Sequence, residues 1–321
     1  DIRRLIILCP PNRVNVEAAP RENAYAIMDG MPTINSDTCT QCGLCADICV
    51  QQLFARTPTG VAVLPARAGA CVQCGQCMAV CPTRAIAAGG LSYEEDLFDL
   101  PPGGVGEGDF FSFLARRRSI RSFQDKPVER EMLQRIVDLV ALSPMGFPPS
   151  KVEVTVVQNR ATLQKALPHL MKLYGGLSRG MRNPLLRFLL RKKMKPEIFR
   201  TLQNHVLPAM EKGLPEMKEK GGDLFTRGAP ALILFHARRD SENHTEDIQI
   251  ALAYGLLAAH SLGLGATAIG LIPPAVERNR ELRRLFAIPK DNEVLASMIV
   301  GHPKLSYRRG IKRDLAGVTW M

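Results

Sequence analysis

The amino-acid sequence predicts an α+β protein in two parts: a small cysteine-dense unit, then a larger sheet covered by helices. Three observations carry this. Eight of the nine cysteines fall between Cys39 and Cys81, in two copies of one spacing. From about residue 109 the apolar pattern alternates between helical and strand periods. Its order is helix, helix, strand, insert, strand, helix, strand, helix, strand, which suits one sheet flanked by helices. Between the two parts lies "PPGGVGEG" (Pro101–Gly108), a breaker-rich joint.

The chain has 321 residues, enough for two domains, and 46% hydrophobic and 23% charged residues, ordinary for a protein with a sizeable core. Residues 1–30 read as an extension with little fold of its own, and the apolar run Leu5–Leu8 is too brief for a signal segment. The cysteine unit is expected over 31–90, a linker over 91–108 and the larger domain over 109–321, with a basic helical insert at 165–228.

Cys39, Cys42, Cys45 and Cys49 form C-x2-C-x2-C-x3-C, and Cys71, Cys74, Cys77 and Cys81 repeat it, followed by Pro82. An iron–sulfur cluster needs four converging thiolates, and in chains that hold two clusters on this spacing the fourth cysteine serves the other cluster. The spacing therefore assigns Cys39, Cys42, Cys45 and Cys81 to one [4Fe–4S] cluster, and Cys71, Cys74, Cys77 and Cys49 to the second. Zinc sites pair two cysteines with two distant ligands, so a duplicated run of four argues against zinc. With eight cysteines so used no disulfide framework is implied, a cytoplasmic location is expected, and Cys9 is left as an inert thiol. Leu53–Arg56 and Val61–Leu64, flanking "TPTG", predict a hairpin between the motifs. The unit resembles a bacterial two-[4Fe–4S] ferredoxin over roughly Met31 to Ala88, except that Val50 stands where the second motif has Pro82.

In the larger part, helices are expected at 110–117, 129–142, 161–173, 246–262 and 274–286. Strands are expected at 152–157, 229–236, 266–272 and 294–300. Met132, Leu133, Ile136, Val137 and Val140 recur at helical spacing, while Ala229–His236 is a continuous apolar run that reads as a buried strand.

The formal net charge is +11, but Lys165 to Arg227 holds 14 Lys/Arg against 5 Asp/Glu, a balance of +9. The excess is thus a local surface and not a nucleic-acid footprint. Within it "MRNPLLRFLLRKKMK" (Met181–Lys195) puts Leu185, Leu186, Phe188, Leu189 and Leu190 on one broad arc, with Arg187, Arg191 and Lys195 opposite. A cap over the active-site mouth ranks first, because a surface helix normally buries its apolar stripe in its own protein. An acidic redox partner ranks second and peripheral membrane contact last.

Arg117, Arg118, Ser119 and Arg121 set three guanidinium groups and a hydroxyl within five residues, able to grip an anion. "GLGATAIG" (Gly263–Gly270) lets backbone approach a flat ligand but is no dinucleotide fingerprint. "GHPKLSYRRGIKR" (Gly301–Arg313) supplies a further basic cluster. In order, "RRSIRSF", "ALSPMGFPPS", "GAPALILFHA", "AHSLGLGATAIG" and "VGHP…RR" resemble the nitroreductase family from Phe110 to about Arg313. The resemblance implies an α/β sandwich with a mainly antiparallel central sheet, an FMN cofactor and a homodimer with FMN at the subunit interface. It implies that Arg117, Arg118, Ser119 and Arg121 form the first flavin-binding block. Met145, Gly146 and Phe147 would reach the flavin of the partner subunit. Backbone at Ala268, Ile269 and Gly270 would meet its reactive edge, and Arg308 and Arg309 would contact its phosphate. Where many members carry Asn and Gln before Pro-Trp, this chain has Pro148-Pro149-Ser150-Lys151-Val152, so a polar contact is lost or replaced.

The combined expectation is an oxidoreductase passing electrons from an external low-potential donor, such as a ferredoxin, through two clusters to FMN. The flavin, with no catalytic side chain, would reduce an electron-poor small molecule such as a nitroaromatic or quinone. The alternatives are a relay between protein partners, and a flavin-dependent oxidation whose electrons drain through the clusters.

Overall fold

The structure is a computed structural model describing residues 31–146 and 151–321. The chain divides into two compact units, one ending at Val105 and one beginning at Gly106.

The first unit is nearly a duplicate of itself. Strand β1 (Thr33–Ile34) is followed by helix α1 (Leu44–Ile48) and the hairpin β2 (Phe54–Thr57) and β3 (Gly60–Val63). A 3₁₀ turn (Pro65–Ala70), helix α2 (Gln76–Ala79) and strand β4 (Ile86–Ala87) complete it. β4 closes antiparallel on β1, and β2 on β3. Phe54, Met78, Ile86 and Leu53 form its core, with half-buried cysteines packed around them. Leu91, Tyr93 and Leu97 also pack there, and the Tyr93 hydroxyl donates to the Met78 carbonyl at 3.4 Å. The stretch read as a linker thus begins as part of this unit.

The second unit is a three-layer sandwich. Helices α3 (Glu107–Arg116) and α4 (Arg130–Val140) precede strand β5 (Glu153–Val157). Helices α5 (Arg160–Arg182), α6 (Pro184–Lys193), α7 (Pro196–Thr201) and α8 (Leu207–Lys220) form the insert. Then come β6 (Ala231–Arg238), α9 (His244–Ser261), β7 (Gly265–Ala268), α10 (Ile272–Arg278), α11 (Arg280–Leu285) and β8 (Asn292–Gly301). The sheet order is β5-β6-β8-β7, antiparallel throughout.

Leu232 and Leu234 point into a core built with Leu170, Tyr174, Phe225 and Ile272. Ala231, Ile233 and Phe235 enter another with Ile136, Ile248 and Met298. Helices therefore cover both faces, which explains why β6 reads as a continuous apolar run although antiparallel strands usually alternate.

Four elements depart from the sequence reading. α5 continues to Arg182, through Pro168 and the glycine pair Gly175-Gly176, because Tyr174, Ser178 and Met181 bury its later turns. α7 and α8 are joined by a π turn at Leu202–Val206, just before Pro208, whose missing N–H disrupts the regular ladder. β7 ends at Ala268, because Pro273 and Pro274 open α10, a position that suits proline. The helix expected at 274–286 is split at Asn279, whose side chain accepts from the Glu281 and Leu282 N–H groups at 2.9 and 3.1 Å and so starts α11.

α6 is the larger correction. It ends at Lys193, and Lys195 opens α7 instead of continuing the wheel. Leu190 packs on a small core of Met181, Phe199, Leu202 and Leu207, and Leu186 lies against Gly180, where an added Cβ would sit 2.9 Å from it. Leu185, Leu186, Phe188 and Leu189 stay exposed, so the arc is only partly used by this protein's own core.

Candidate functional site

The two cysteine motifs fold alike because left-handed backbone recurs at matching positions. Gln41 and Gln73 have φ of 58° and 55°, Gly43 and Gly75 have 81° and 72°, and Gln52 and Arg84 have 53° and 54°. Non-glycine residues rarely adopt this region, so four such positions mark a specific path that both motifs share. The paired turns aim equivalent amides at sulfur. Leu53 N–H donates to Cys49 Sγ at 3.4 Å, and Ala85 N–H donates to Cys81 Sγ at 3.2 Å.

Cys49, Cys71, Cys74 and Cys77 line a single cavity. This is the crossed set expected for the second cluster: one thiol from the first motif beside three from the second. Burial pushes the Cys77 thiol up to about 11, with crowding by Cys74, and less by Cys49 and Cys71, adding to it. Coordination to iron would release these protons and neutralise the thiolate charges that burial and crowding penalise. Among the described residues no three His, Cys, Asp or Glu side chains are placed to hold a single metal ion. In the other set, burial raises the Cys45 thiol, with lesser crowding from Cys39 and Cys42. Burial alone would raise Cys81 too, but hydrogen bonds from the Ala85 and Thr83 backbone hold it below the usual thiol range. By the pseudo-symmetry Cys81 is the counterpart of Cys49. The donor set and its N–H···S bonds fit two clusters.

In the second unit a groove of about 660 Å³ opens beside the end of β7. Ala268, Ile269 and Gly270 line it, joined by Gln249 and Leu252 of α9 and Leu295 of β8. Leu295 is the bulged residue there, since Phe235 pairs with Ala296 and His236 with Val294. The turn after β7 is held at both ends. Ile269 N–H donates to the Ser297 carbonyl at 2.9 Å, and Ser297 Oγ donates to the Ile269 carbonyl at 2.7 Å. The Tyr174 hydroxyl donates to the Leu271 carbonyl at 2.6 Å, and burial pushes its pKa up to about 12. Sequence reading missed Gln249, Leu252, Leu295, Ser297 and Tyr174. Only Ser297, a polar residue inside "VLASMIV", left a visible signal.

The glycines of "GLGATAIG" divide their work. Gly263, with φ of 73°, turns the chain out of α9, and Gly265 leaves room for Ile120, whose side chain would lie 2.6 Å from an added Cβ. Gly270 alone borders the groove. The arginine block joins the same strand one step away: Ser119 bridges Ala266, and Ile120 N–H donates to the Ala266 carbonyl at 3.1 Å.

Arg118 then links this block to the C-terminal basic segment. Its Nη1 donates to the Arg117 carbonyl at 2.6 Å and its Nη2 reaches the Arg309 carbonyl at 3.5 Å. Its Nε is buried without a hydrogen-bond partner. A buried, unpaired guanidinium N–H beside Arg117 and Arg309 fits an anionic group such as a phosphate. Arg121 donates to the Ser119 carbonyl at 3.4 Å, and Arg308 is exposed.

Met145 and Gly146 do not border the groove. Gly146 N–H donates to Asp247 Oδ1 at 2.5 Å, tying the loop to the first turn of α9, and an added Cβ would meet Asn243 at 2.7 Å. Phe147 lies outside the described residues.

Comparison with known proteins agrees with this division. The profile of the Nitroreductase family matches residues 114–302. The chain belongs to the nitroreductase family. A 4Fe-4S dicluster domain matches residues 38–86, so this nitroreductase carries a ferredoxin-type unit ahead of its sandwich. An FMN reductase [NAD(P)H] of Bacillus subtilis is 31% identical over 191 residues, 59% of this chain and 64% of that protein. A Methanothermobacter thermautotrophicus protein, provisionally named an NADH dehydrogenase/NAD(P)H nitroreductase, is 27% identical over 205 residues, 63% of this chain and 81% of its own. Among solved structures, a nitroreductase with bound FMN from Desulfitobacterium hafniense has a TM-score of 0.49 at 20% identity, covering 66% of this chain and 97% of its own.

Proposed function

We propose that this nitroreductase is an oxidoreductase that uses FMN, supplied through its two [4Fe–4S] clusters by an external low-potential donor, to reduce an electron-poor small molecule such as a nitroaromatic or quinone. A bound flavin accepts electrons singly and gives them up in pairs, whereas an iron–sulfur cluster passes one at a time. The observation that carries the reading is Cys49 beside Cys71, Cys74 and Cys77 around one cavity, in the same chain as a nitroreductase sandwich.

The chain's own residues bind and orient. The N–H groups of Leu53 and Ala85 fix the sulfurs of the two exchanged cysteines. Arg118, with Arg117 and Arg309 beside it, would hold the flavin phosphate. The turn from Ala268 to Gly270, with the Ile269 N–H and carbonyl both taken by Ser297 and the following Leu271 carbonyl held by Tyr174, would set rigid backbone beside the ring edge. Met145 and Gly146, which do not border the groove, would serve a second copy of the chain.

Anaerobic flavin reduction tests the supply route. Dithionite-reduced ferredoxin should reduce the flavin of the intact protein within the turnover time, and a variant lacking both clusters should lose that rate. NADH should reduce neither form quickly. Rapid reduction by NADH in the cluster-free variant would overturn the fused supply and favour direct hydride donation, the reading the NAD(P)H relatives suggest. An Arg118→Gln variant should bind FMN about tenfold or more weakly, the usual loss for one charge-assisted hydrogen bond.

A further inference from the structure

The insert carries a surface that the proposed electron route does not use. α6 is a ten-residue helix with no fully buried side chain. Leu190 packs on the small core around Met181 and Phe199, while Leu186 touches Gly180 with one edge and is still 43% exposed. Leu185, Phe188 and Leu189, at i, i+3 and i+4, form a stripe beside it and are 69%, 53% and 45% exposed. Lys192 continues the stripe at i+7, with its ammonium 4.6 Å from the centre of the Phe188 ring.

Cations surround the stripe. Between residues 179 and 200 stand Arg179, Arg182, Arg187, Arg191, Lys192, Lys193, Lys195 and Arg200, against Glu197 alone. Two of the eight have carboxylate partners, Arg182 with Glu211 and Arg200 with Glu197. An occupant of this face must therefore be anionic and must accept three large apolar side chains.

We infer that α6 is a docking helix for an anionic lipid surface: Leu185, Phe188 and Leu189 enter the headgroup–acyl boundary while Arg187, Arg191, Lys192 and Lys193 meet lipid phosphates. Two observations select a bilayer over an acidic protein. The four exposed apolar side chains of α6, an aromatic one burying about 150–250 Å², fall well short of the ~800 Å² per partner that a stable protein interface needs. An apolar ridge bordered on both sides by long cationic side chains is also the pattern that inserts shallowly while its charges stay at headgroup level. No described helix is long and apolar enough to cross a membrane, so α6 would lie on the surface.

The test is co-sedimentation of the full chain with vesicles of phosphatidylcholine containing about one-third phosphatidylglycerol, against pure phosphatidylcholine, at low salt and at roughly physiological salt. The expected result is binding to the anionic vesicles, weaker with added salt and at least about tenfold weaker on phosphatidylcholine alone. A Leu185→Glu/Phe188→Glu/Leu189→Glu variant should lose about tenfold or more in anionic-vesicle binding. A second variant, Arg187→Gln/Arg191→Gln/Lys193→Gln, keeps the stripe and should lose the preference for anionic over zwitterionic lipid. Both change exposed side chains, and far-UV circular dichroism confirms that each is folded. Absence of binding to anionic vesicles overturns the proposal, as does unchanged binding by the first variant. So does salt-sensitive capture of an acidic protein by a chain that ignores the vesicles.

Discussion

Cys49 and Cys81 each begin a turn whose fourth residue returns an amide to the sulfur, so each thiol is held by its own motif, and in the proposed crossed assignment it would serve the other. Replacing Cys49 with Ala should therefore strip the second cluster while leaving most of the first. Iron should fall from about eight per chain to about four, by metal analysis of anaerobically purified protein. Full iron content would remove Cys49 from the ligand set, and loss of the first motif's cluster instead of the second's would sink the crossed assignment. At the same scale His236 sets a pH limit on the sandwich. It lies between β5 and β8, with Thr155 Oγ1 at 3.1 Å from Nε2 and Asn292 Nδ2 donating to Nδ1 at 2.8 Å. Burial, opposed by Glu153 and reinforced by Arg283, depresses its pKa below the usual histidine value. As pH falls below about 6.5, the unfolded chain binds a proton that the folded chain refuses, and stability is lost at about 1.4 kcal/mol per unit of depression. Urea midpoints at pH 7.5 and 5.5 should converge in His236→Gln compared with the parent. An equal drop in both proteins would show that other groups govern the window.

At the scale of elements, the turn between β7 and α10 depends on bonds from distant parts of the chain. Tyr174 reaches Leu271 from the middle of α5, across the core that covers one face of the sheet. Tyr174→Phe leaves that carbonyl unpaired and should cost about 1 kcal/mol, or roughly 2–4 °C in melting temperature for a domain of this size. The check is thermal unfolding by circular dichroism, and an unchanged midpoint would mean that Leu271 has found another donor. The elements themselves were largely legible in the sequence. β5, β6 and β8 were announced by apolar runs bounded by breakers, and α4 and α9 by helical spacing of their buried residues. What was not legible turned on competition between local and distant forces. α5 passes two glycines because its far turns are buried, and one expected helix is two because the Asn279 side chain caps the second.

For the whole molecule, the central question is whether one copy makes a complete site. The groove takes its walls from β7, β8, α9 and α10, while Met145 and Gly146, matched to the partner-reaching segment, do not border it, and Gly146 is anchored at Asp247. The expected outcome is a homodimer in sedimentation velocity, with flavin content falling as dilution favours the monomer. A strictly monomeric, flavin-saturated protein would remove the partner role from Met145 and Gly146. The separation into two compact units also implies that loss of the clusters leaves the sandwich folded.

The sequence by itself determined the chemistry-bearing parts, because their chemistry depends on spacing along the chain. Four thiolates on a short loop, a repeated motif and an ordered set of family blocks are one-dimensional facts, and they named both domains. The tertiary structure decided which residues meet. It put Cys49 with the second motif's three cysteines, set Arg118 against Arg309 across nearly two hundred residues, and brought Tyr174 and Ser297 to the turn below the groove. It also decided which apolar side chains of α6 face solvent, since a helical wheel gives the arc but not the neighbour. A short spacing is a property of neighbours in sequence, whereas a site is made by groups that only packing brings together.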